Sequence, residues 1–310
     1  MTNSEQANFP KRDFTGYGRT PPHPRWPGNA RIAINFAVNI EEGSEYSPLD
    51  GDPRTDTALT EGEGMDTGIV GRDLAAESMY EYGSRVGFWR LLSLFEKRGL
   101  PFTAFACAKA LERTPDIAAA LRDNAADVCC HGYRWEKHWL LTREEEKRQI
   151  ERAVESLQQS LGQGPQGWCC RYGPSINTRE LLVEAGISYD SDAYNDELPY
   201  WVDVNGRKQL IIPYSLVAND CKLVPRGLQT ADDFFALLSD AFDQLYEEGE
   251  TNPKMLNIGL HPRMAGHPGR ARGLARFLDH VRSHDRVWVC KRNDIAQHWR
   301  QTFPTEDGKG

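Results

Sequence analysis

The sequence has no long apolar run and no excess of positive charge, and each absence excludes a class of protein. No stretch approaches the roughly 18 consecutive apolar residues that a membrane-spanning helix needs. The formal net charge is −8, so we expect neither a nucleic acid nor an anionic membrane surface as a partner. With 39% hydrophobic and 26% charged residues, the 310-residue chain has the composition of a globular protein, long enough for one large domain or two small ones.

The sequence also lacks a disulfide framework. Seven cysteines are few for this length, and the number is odd. The adjacent pairs Cys129-Cys130 and Cys169-Cys170 lie in apolar runs, where a free cysteine behaves as a small hydrophobic residue. Their spacing argues against zinc, because zinc thiolate motifs separate their cysteines by about two to four residues. We therefore expect free thiols and a cytoplasmic protein.

The first 30 residues predict an extended arm. Prolines at positions 21, 22, 24 and 27 exclude a regular helix there. The stretch Met1–Arg25 is polar and lacks the apolar segment of a signal peptide, which agrees with a cytoplasmic location. We expect this arm, residues 1–30, to be disordered or to wrap on the body or on a neighbouring subunit. A folded domain would follow over residues 31–303 and a flexible tail over 304–310.

Strand-like and helix-like segments alternate from Arg31 onward. Apolar, β-branched runs predict buried strands over Arg31–Ile40, Phe102–Cys107, Asp127–Cys130, Trp168–Cys170, Ser188–Asp190, Leu210–Ile212, Met255–Leu260 and Arg286–Val289. Amphipathic periods and capping signals predict helices over Val86–Arg98, Pro115–Asn124, Thr142–Leu161, Asn177–Ala185, Thr230–Glu247, Gly269–Ser283 and Asn293–Gln301. This alternation favours a single α/β domain with a parallel sheet that is closed, or nearly closed, into a barrel.

Two connections have an unusual composition. Residues 44–85 are rich in Gly, Asp, Glu and Ser without a clear period, and loops of that length in compact domains are usually functional. The stretch Cys130–Trp139 places two histidines, an arginine and two tryptophans directly after a predicted strand. Ordinary turns are built from Gly, Asn, Asp and Pro, so this composition favours a functional site. The alternative is a packed loop whose aromatic side chains cover the end of the core.

Polar side chains follow the ends of four predicted strands. Glu41 and Glu42 follow the first strand, and His131, Arg171 and His261 each follow another. In α/β barrels, groups just past the C-terminal strand ends meet in one crevice, where the active site lies. The sequence therefore predicts that these side chains form a single site.

Individual residues of this set also have structural explanations. His261, before a proline, fits a buried, hydrogen-bonded core histidine. Arg171 fits an ion-pair partner of Asp190 or Asp192. Four strand ends that all carry such groups are harder to explain in this way, so we favour an active site.

The order of these motifs is similar to that of a known family. The stretches that carry the resemblance are Gly16-Tyr17-Gly18, Pro21-Pro22-His23-Pro24, Asn39-Ile40-Glu41-Glu42-Gly43, Tyr80-Glu81-Tyr82-Gly83-Ser84-Arg85, His131-Gly132-Tyr133-Arg134-Trp135, Tyr189-Asp190-Ser191-Asp192, Asp196-Glu197-Leu198-Pro199-Tyr200-Trp201 and Ile258-Gly259-Leu260-His261. From about residue 10 to residue 303 the chain resembles the polysaccharide deacetylase superfamily, and most closely its cofactor-independent allantoinases and cyclic imide hydrolases. The resemblance implies a distorted (β/α) barrel.

The resemblance also bears on a metal cofactor. Typical deacetylases of the superfamily bind a divalent metal through one Asp and two His. Here Glu41 stands at the aspartate position, His131 at the first histidine, and Trp135 replaces the second, as it does in the metal-free allantoinase branch. Because the loss of one of three ligands weakens a metal site severely, we expect no metal cofactor. The alternative is a divalent metal such as zinc at Glu41 and His131, with His138 as a third ligand.

The substrate predicted by the resemblance is a cyclic amide. The segments 168–174 and 136–138 depart from the allantoinase pattern and border the expected pocket, so a cyclic imide or another ring amide competes with allantoin. A carbohydrate deacetylase and a non-catalytic barrel that only binds a ligand are the other candidates. We expect a homo-oligomer, with a tetramer favoured by the resemblance.

Hydrolysis of a ring amide needs an activated water, a stabilised oxyanion and a proton for the leaving nitrogen. We expect Glu41 to be the general base, with Glu42 or His131 orienting the water. Adjacent carboxylates raise one another's pKa, and only one of two neighbouring residues at a strand end faces the pocket, for which we favour Glu41. His261 would protonate the leaving nitrogen. The predicted substrate-binding residues are Trp135, Arg171, Trp201 and Asp196.

Overall fold

One mixed sheet organises the chain in the computed structural model, which describes residues 12–124, 126–223, 227–228 and 230–305. Its strands are β1 (Ile32–Ile40), β2 (Thr103–Ala106), β3 (Asp127–Cys130), β4 (Gly167–Trp168), β5 (Tyr189–Asp190), β6 (Tyr200–Val204), β7 (Arg207–Ile211), β8 (Lys254–Leu260) and β9 (Val287–Val289). The hydrogen-bonded order is β6-β7-β5-β4-β3-β2-β1-β8, and β9 pairs with the first residues of β1. All pairs are parallel except β6 with β7.

Helices connect the strands and cover the outside of the sheet. They are α1 (Leu74–Tyr82), α2 (Phe88–Glu96), α3 (Ala108–Arg113), α4 (Pro115–Asp123), α5 (Arg143–Leu161), α6 (Thr178–Glu184), α7 (Ala231–Glu248), α8 (Pro262–Ala265), α9 (Pro268–Arg282) and α10 (Arg292–Thr302). A π-helical turn, Gly83–Gly87, joins α1 to α2, and short 3-10 turns cover Pro27–Asn29, Pro48–Asp50, His138–Leu140 and Asp220–Leu223. None of the helices in the described segments is both long enough and apolar enough to cross a membrane.

The two faces of β1 differ because successive side chains of a strand point to opposite sides. On the outer face Phe36 packs against Phe95 of α2 and Phe277 of α9, with ring centroids 5.2 and 6.3 Å apart. On the inner face Asn35 and Asn39 alternate with small alanines. The inner face of β1 therefore carries short polar and small apolar side chains, which leave room for larger groups from other elements, such as Phe105 and Tyr214.

A buried arginine shows that the sheet curls round on itself. Arg292 donates to Asn35 Oδ1 on β1 at 3.2 Å and to the carbonyl oxygens of Ile212 and Pro213, just past β7, at 2.6 and 2.7 Å. Four strands lie between β1 and β7 in the sheet order, so one side chain reaches both only if the sheet is strongly curved. No ladder joins β6 to β8 within the described residues. The fold is a distorted, incompletely closed barrel in one domain, as the sequence predicts.

Most predicted elements are present with nearly the expected bounds. The strand Asp127–Cys130 is found as predicted. The helix α5 begins with the predicted capping box, in which Thr142 and Glu145 bond to each other's backbone N–H, and ends at Gly162 with φ +77°. The predicted strand Trp168–Cys170 overlaps with β4, Gly167–Trp168, only at Trp168.

Four of these helices and strands were not expected, namely α1, α3, α8 and β6. Helix α1 lies inside the connection 44–85, and only Ala76 and Tyr80 of it are buried, so its apolar period is too weak to detect. Strand β6 forms a hairpin with β7 through Asn205-Gly206, both with positive φ, and an Asn-Gly turn of this kind is a recognised hairpin signal.

The described part of the N-terminal segment lies on the body of the protein. Trp26 is buried against the rings of Trp288 and Trp299, and its indole N–H donates to the carbonyl of Lys254 at 3.1 Å. The hydroxyl of Tyr17 donates to the carbonyl of Pro199 at 2.6 Å. Residues 1–11 of the predicted arm and 306–310 of the predicted tail lie outside the described residues.

Candidate active site

Three side chains meet at the C-terminal ends of β1, β3 and β8. Glu41, His131 and His261 follow these strands directly and are almost completely buried. Glu41 Oε1 lies 3.1 Å from His131 Nε2 and 3.5 Å from His261 Nε2. The structure thus brings together three of the four predicted catalytic residues around one carboxylate oxygen.

A second carboxylate fixes His261. Asp220 Oδ1 lies 2.6 Å from His261 Nδ1, and Asp220 Oδ2 accepts the backbone N–H groups of His261 and Ala265 at 2.6 and 3.1 Å. Burial alone would lower the pKa of His261, but the charges of Asp220 and Glu41 outweigh it and raise the pKa to about 9. His261 therefore carries a proton at neutral pH, on an imidazole whose Nε2 faces Glu41.

His131 is oriented by the backbone. Its Nδ1 lies 2.6 Å from the carbonyl oxygen of Cys169, which accepts a proton and cannot donate one. Nδ1 of His131 therefore carries hydrogen, and Nε2 is the atom presented to Glu41. In catalytic histidines, a hydrogen bond from one ring nitrogen commonly fixes the orientation of the ring and so the position of the other nitrogen.

Arg263 neutralises the carboxylates and was not predicted. Its Nη2 lies 2.7 Å from Glu41 Oε2, and its Nη1 lies 3.3 Å from Glu42 Oε1. Its Nε donates to the carbonyl of Leu59 at 2.9 Å. The guanidinium also stacks 5.0 Å from the ring centroid of Trp135. Arg263 is the third residue after β8, in the first turn of α8, a helix that was not predicted from the sequence.

The pKa shifts of the two glutamates differ from the expectation. Burial alone would raise the pKa of Glu41, but the positive charges of Arg263 and His261 outweigh it and hold the pKa well below its ordinary value. Burial, reinforced by the charge of Glu41, raises the pKa of Glu42 instead. The sequence predicted that the neighbouring carboxylate raises the pKa of Glu41 toward neutral pH. This prediction is wrong, because the guanidinium of Arg263 lies beside Glu41 and lowers its pKa.

Glu42 points away from the site. Its Oε1 lies against Gly83, where a Cβ atom added to the glycine would come within 2.3 Å of it, and accepts the backbone N–H of Arg263 at 3.3 Å. Glu42 is not among the described residues that line the cavity in front of Glu41. This matches the expectation that only one of the two neighbours faces the pocket, and it leaves Glu42 no direct contact with a substrate there.

A cavity of about 430 Å³ opens in front of the three catalytic candidates. Aromatic and apolar side chains form most of its wall, and Trp135 and Arg171 from the predicted binding set are part of it. The connection 44–85 contributes Ala58, Leu59 and Glu63 to the lining, which agrees with a functional role for that long segment.

Arg171 is held in place between a ring and a carboxylate. Its guanidinium carbon lies 3.7 Å from the ring centroid of Trp135, and its Nη1 donates to the carbonyl of Trp135 at 3.1 Å and to Asp56. The alternative pairing with Asp190 or Asp192 is not what the structure shows. Asp56 belongs to the connection 44–85, so the ion pair ties that segment to the rim of the cavity.

Two predicted binding residues lie elsewhere. The indole N–H of Trp201 donates to the carbonyl of Phe303 at 2.9 Å, and Trp201 packs against the core cluster that contains Leu210. Asp196 is half-buried and accepts the backbone N–H groups of Glu197 and Leu198. The prediction that Trp201 and Asp196 line the cavity is corrected, because neither is part of its described lining and the polar groups of both bond elsewhere.

Tyr214 lines the cavity, and its hydroxyl oxygen lies between two asparagine side chains. Its oxygen accepts the amide groups of Asn39 and Asn219 at 3.2 and 3.1 Å. Both amides are fixed in orientation, because Asn39 also donates to the carbonyl of Leu260 and Asn219 Oδ1 accepts the backbone N–H of Cys221. These two N–H donors occupy both lone pairs of the phenol oxygen. Among the described residues, none accepts the hydroxyl proton of Tyr214. Burial holds the pKa of Tyr214 well above its ordinary value, so the phenol is neutral.

Comparison with known proteins decides the family. The family model for polysaccharide deacetylase matches residues 74–189. A Schizosaccharomyces pombe protein assigned to the polysaccharide deacetylases is 39% identical over 317 aligned residues, which cover 96% of this chain and 99% of the relative. The chain belongs to the polysaccharide deacetylase family.

Two solved structures of the family are similar over almost the whole chain. A Pseudomonas aeruginosa PAO1 protein assigned to the polysaccharide deacetylases is 44% identical, with a TM-score of 0.91 and coverage of 96% of this chain and 100% of that one. The crystal structure of PuuE allantoinase is 43% identical, with a TM-score of 0.91 and coverage of 96% and 99%. These matches confirm the predicted resemblance to the superfamily and to its allantoinase-like branch. They make the chain a hydrolase of carbon–nitrogen bonds.

The residues at the site do not fit the divalent metal of typical family members. Glu41 and His131 are present, but Trp135 supplies no ligand atom, and Arg263 already occupies the position of a cation beside Glu41. His138 does not complete the set, because its Nδ1 bonds to Glu146 Oε1 at 3.2 Å and it is absent from the described cavity lining. We derive no chemical step through a metal at this site.

Proposed function

We propose that the protein hydrolyses a carbon–nitrogen bond of a cyclic amide, of the allantoin or cyclic imide type, and that it does so without a metal. The observation that carries the proposal is the pairing of Glu41 with Arg263 on one oxygen and with two histidines on the other. This arrangement is a complete acid–base cluster whose charge is balanced by protein groups. The similarity to the allantoinase structure supports the ring-amide substrate.

The attack begins at Glu41. The carboxylate is ionised at neutral pH because Arg263 and His261 lower its pKa, so it is able to accept a proton. As a water oxygen bonds to the substrate carbonyl carbon, one water proton passes to Glu41. The low pKa makes Glu41 a weak base, which favours proton transfer in concert with the formation of the C–O bond. His131 Nε2, 3.1 Å from the same carboxylate oxygen, helps to position the water.

Other groups stabilise the oxyanion and protonate the leaving nitrogen. The carbonyl oxygen gains negative charge as water adds, and the free proton of Tyr214 is available to bind it. When the tetrahedral intermediate collapses, the C–N bond breaks and His261 gives its Nε2 proton to the leaving nitrogen. Glu41 then returns the proton it received to His261 across the 3.5 Å between Oε1 and Nε2. The product is a ring-opened molecule with a new carboxylic acid group and a new N–H group. Glu41 is again a carboxylate and His261 is again protonated.

The cavity favours a small flat ring. Its volume of about 430 Å³ lies toward the lower end of the range of roughly 300–1,000 Å³ for small-molecule sites. The Arg171 guanidinium stacked on Trp135 offers a planar cation on the cavity wall. A planar ureide or imide presents the carbonyl oxygens that such a group binds well. A second candidate, an N-acetylated sugar, is favoured by the family itself and requires the same amide chemistry.

The test is a substrate panel with metal-stripped protein. Hydrolysis of allantoin, succinimide, dihydrouracil and an N-acetylglucosamine oligomer is measured before and after exhaustive chelation. We expect turnover of at least one ring amide, unchanged by chelation. Acetate release from the oligomer alone would assign the protein to the second candidate. Ring hydrolysis that is lost on chelation and restored by zinc or manganese would contradict the metal-free mechanism.

A further inference from the structure

A second cluster of potential metal ligands lies on the helical outside of the barrel. His280 is in the last turn of α9, His284 follows it by four residues, and Asp243 projects from α7. One ligand atom from each lies within 4.8 Å of the others, and His280 Nε2 is 2.7 Å from Asp243 Oδ1. We propose that this cluster, the α7–α9 site, binds a divalent transition-metal ion of the zinc type. No residue of the active-site cavity belongs to it.

The hydrogen bonds of His284 leave one nitrogen free for a metal. Its Nδ1 lies 2.9 Å from the backbone carbonyl oxygen of His280, which accepts a proton. Nδ1 therefore carries the hydrogen, and the lone pair of the neutral ring is on Nε2. A metal-ligating histidine whose other nitrogen donates to a backbone carbonyl is the usual arrangement in protein metal sites. The separation of four residues places both imidazoles on the same side of the chain, a spacing found in zinc-binding helices.

Aromatic rings hold the two imidazoles in position. The ring of Phe242 lies 5.4 Å from that of His280 and 5.0 Å from that of His284, both edge-on. Tyr246 contacts His284 at 5.1 Å, and the two imidazole centroids are 4.7 Å apart. The rings therefore have little freedom to rotate, so the entropy lost on binding a metal is small.

The third ligand is free to adjust. The Asp243 side chain is 53% exposed, so it can move outward when an ion replaces its hydrogen bond to His280. Zinc binds histidine nitrogen and carboxylate oxygen at about 2.0–2.2 Å, which places two ligand atoms about 3 Å apart or slightly more. Solvent on the exposed side supplies the fourth ligand. Two nitrogen ligands favour zinc and its neighbours over calcium or magnesium, which prefer oxygen.

The α7–α9 site would have two consequences. An ion held by both helices stabilises the folded chain by mass action, because it binds the folded state and not the unfolded one. The ion would also be found in the purified protein without any part in catalysis. Metal content alone would then not reveal whether the active site uses a metal.

The experiment measures zinc binding by calorimetry and the melting temperature of chelator-stripped protein with and without zinc. We expect one zinc ion per chain and a rise in Tm of about 3–5 °C at a hundredfold excess over Kd. His284→Gln should weaken zinc binding at least tenfold and abolish the rise. The exposed His23→Gln is the matched control and should bind zinc like the wild type.

The same titration on Glu41→Gln separates the two sites. We expect this variant to bind zinc normally, because Glu41 is outside the α7–α9 site. Zinc binding that is lost in Glu41→Gln and kept in His284→Gln would overturn the proposal, and so would the absence of zinc binding in the wild type. The outcome does not depend on the proposed hydrolysis, since the readouts are binding and stability.

Discussion

Arg263 Nη2 lies 2.7 Å from Glu41 Oε2, and both side chains are almost completely buried. A guanidinium here takes over the charge balance that a divalent cation would supply beside the same carboxylate. Buried ion pairs gain little net stability, but removal of one partner is costly because the other charge is left uncompensated. The pair therefore governs both the fold around the site and the protonation of Glu41.

The first prediction concerns this pair. Arg263→Met leaves two buried carboxylates without their cation, so we expect the free energy of unfolding to fall by about 3–5 kcal/mol and turnover to be lost. Arg263→Lys keeps the positive charge but cannot contact both carboxylates with a planar group, so its free energy of unfolding should lie between those of the wild type and Arg263→Met. Urea unfolding at pH 7 measures the effect. Arg263→Met as stable as the wild type would show that the pair is not formed in solution.

The second prediction is a pH dependence set by His261. Its pKa is raised from an ordinary 6.5 to about 9, so its contribution to stability is complete below pH 6.5 and is lost as the pH rises through 9. We expect turnover to fall over the same alkaline range, because the protonated form is the acid. Asp220→Asn removes the main negative charge on the ring and should move the alkaline limb of the pH–rate profile to lower pH. An unmoved limb in that variant would exclude His261 as the group responsible.

The third prediction tests the hydroxyl of Tyr214. Tyr214→Phe removes the proposed oxyanion donor, and we expect kcat to fall about 10²–10³-fold with a smaller change in KM. Tyr194→Phe is the matched control, because Tyr194 also lines the cavity but its hydroxyl donates to the carbonyl of Tyr172. Equal, small effects of the two substitutions on kcat would mean that Tyr214 is only a structural acceptor for its two asparagines.

The fourth prediction concerns the close packing behind Glu42. A Cβ atom at Gly83 would lie 2.3 Å from Glu42 Oε1, and both residues are buried. We expect Gly83→Ala to destabilise the protein by about 1–3 kcal/mol through overpacking. Gly269→Ala, where a Cβ meets no neighbour within 4 Å, should leave the unfolding midpoint nearly unchanged. Similar midpoints for the two variants would contradict the packing described for the π-helical turn.

Strand periodicity and caps were sufficient to predict most of the fold. The capping box at Thr142 and the apolar run Asp127–Cys130 are local signals, and the elements they predict are found where expected. Because polar residues at the ends of parallel strands share one edge of a sheet, the meeting of Glu41, His131 and His261 was also predictable.

The residues that complete the site have no local signal. Arg263 reaches the cluster from α8 and Asp220 from the 3-10 turn Asp220–Leu223, which lies on the other side of α7 and β8 in the sequence, and neither residue lies in a recognisable motif. The direction of the Glu41 pKa shift follows from Arg263, so it could not be predicted either. Trp201 and Asp196 were misplaced because the sequence pattern predicts a loop up to Trp201, whereas Trp201 belongs to strand β6 and packs against the core cluster that contains Leu210.

The most direct measurement is the initial rate of ring-amide hydrolysis by metal-stripped wild type and Glu41→Gln, compared on the ring substrate that the panel identifies. Metal content of both proteins is determined in parallel. We expect the stripped wild type to retain its full rate, and Glu41→Gln to be at least 10²-fold slower, because the base that accepts the water proton is gone. A Glu41→Gln variant with near-wild-type turnover, or a stripped wild type that is inactive until a metal is returned, would contradict the metal-free mechanism built on Glu41.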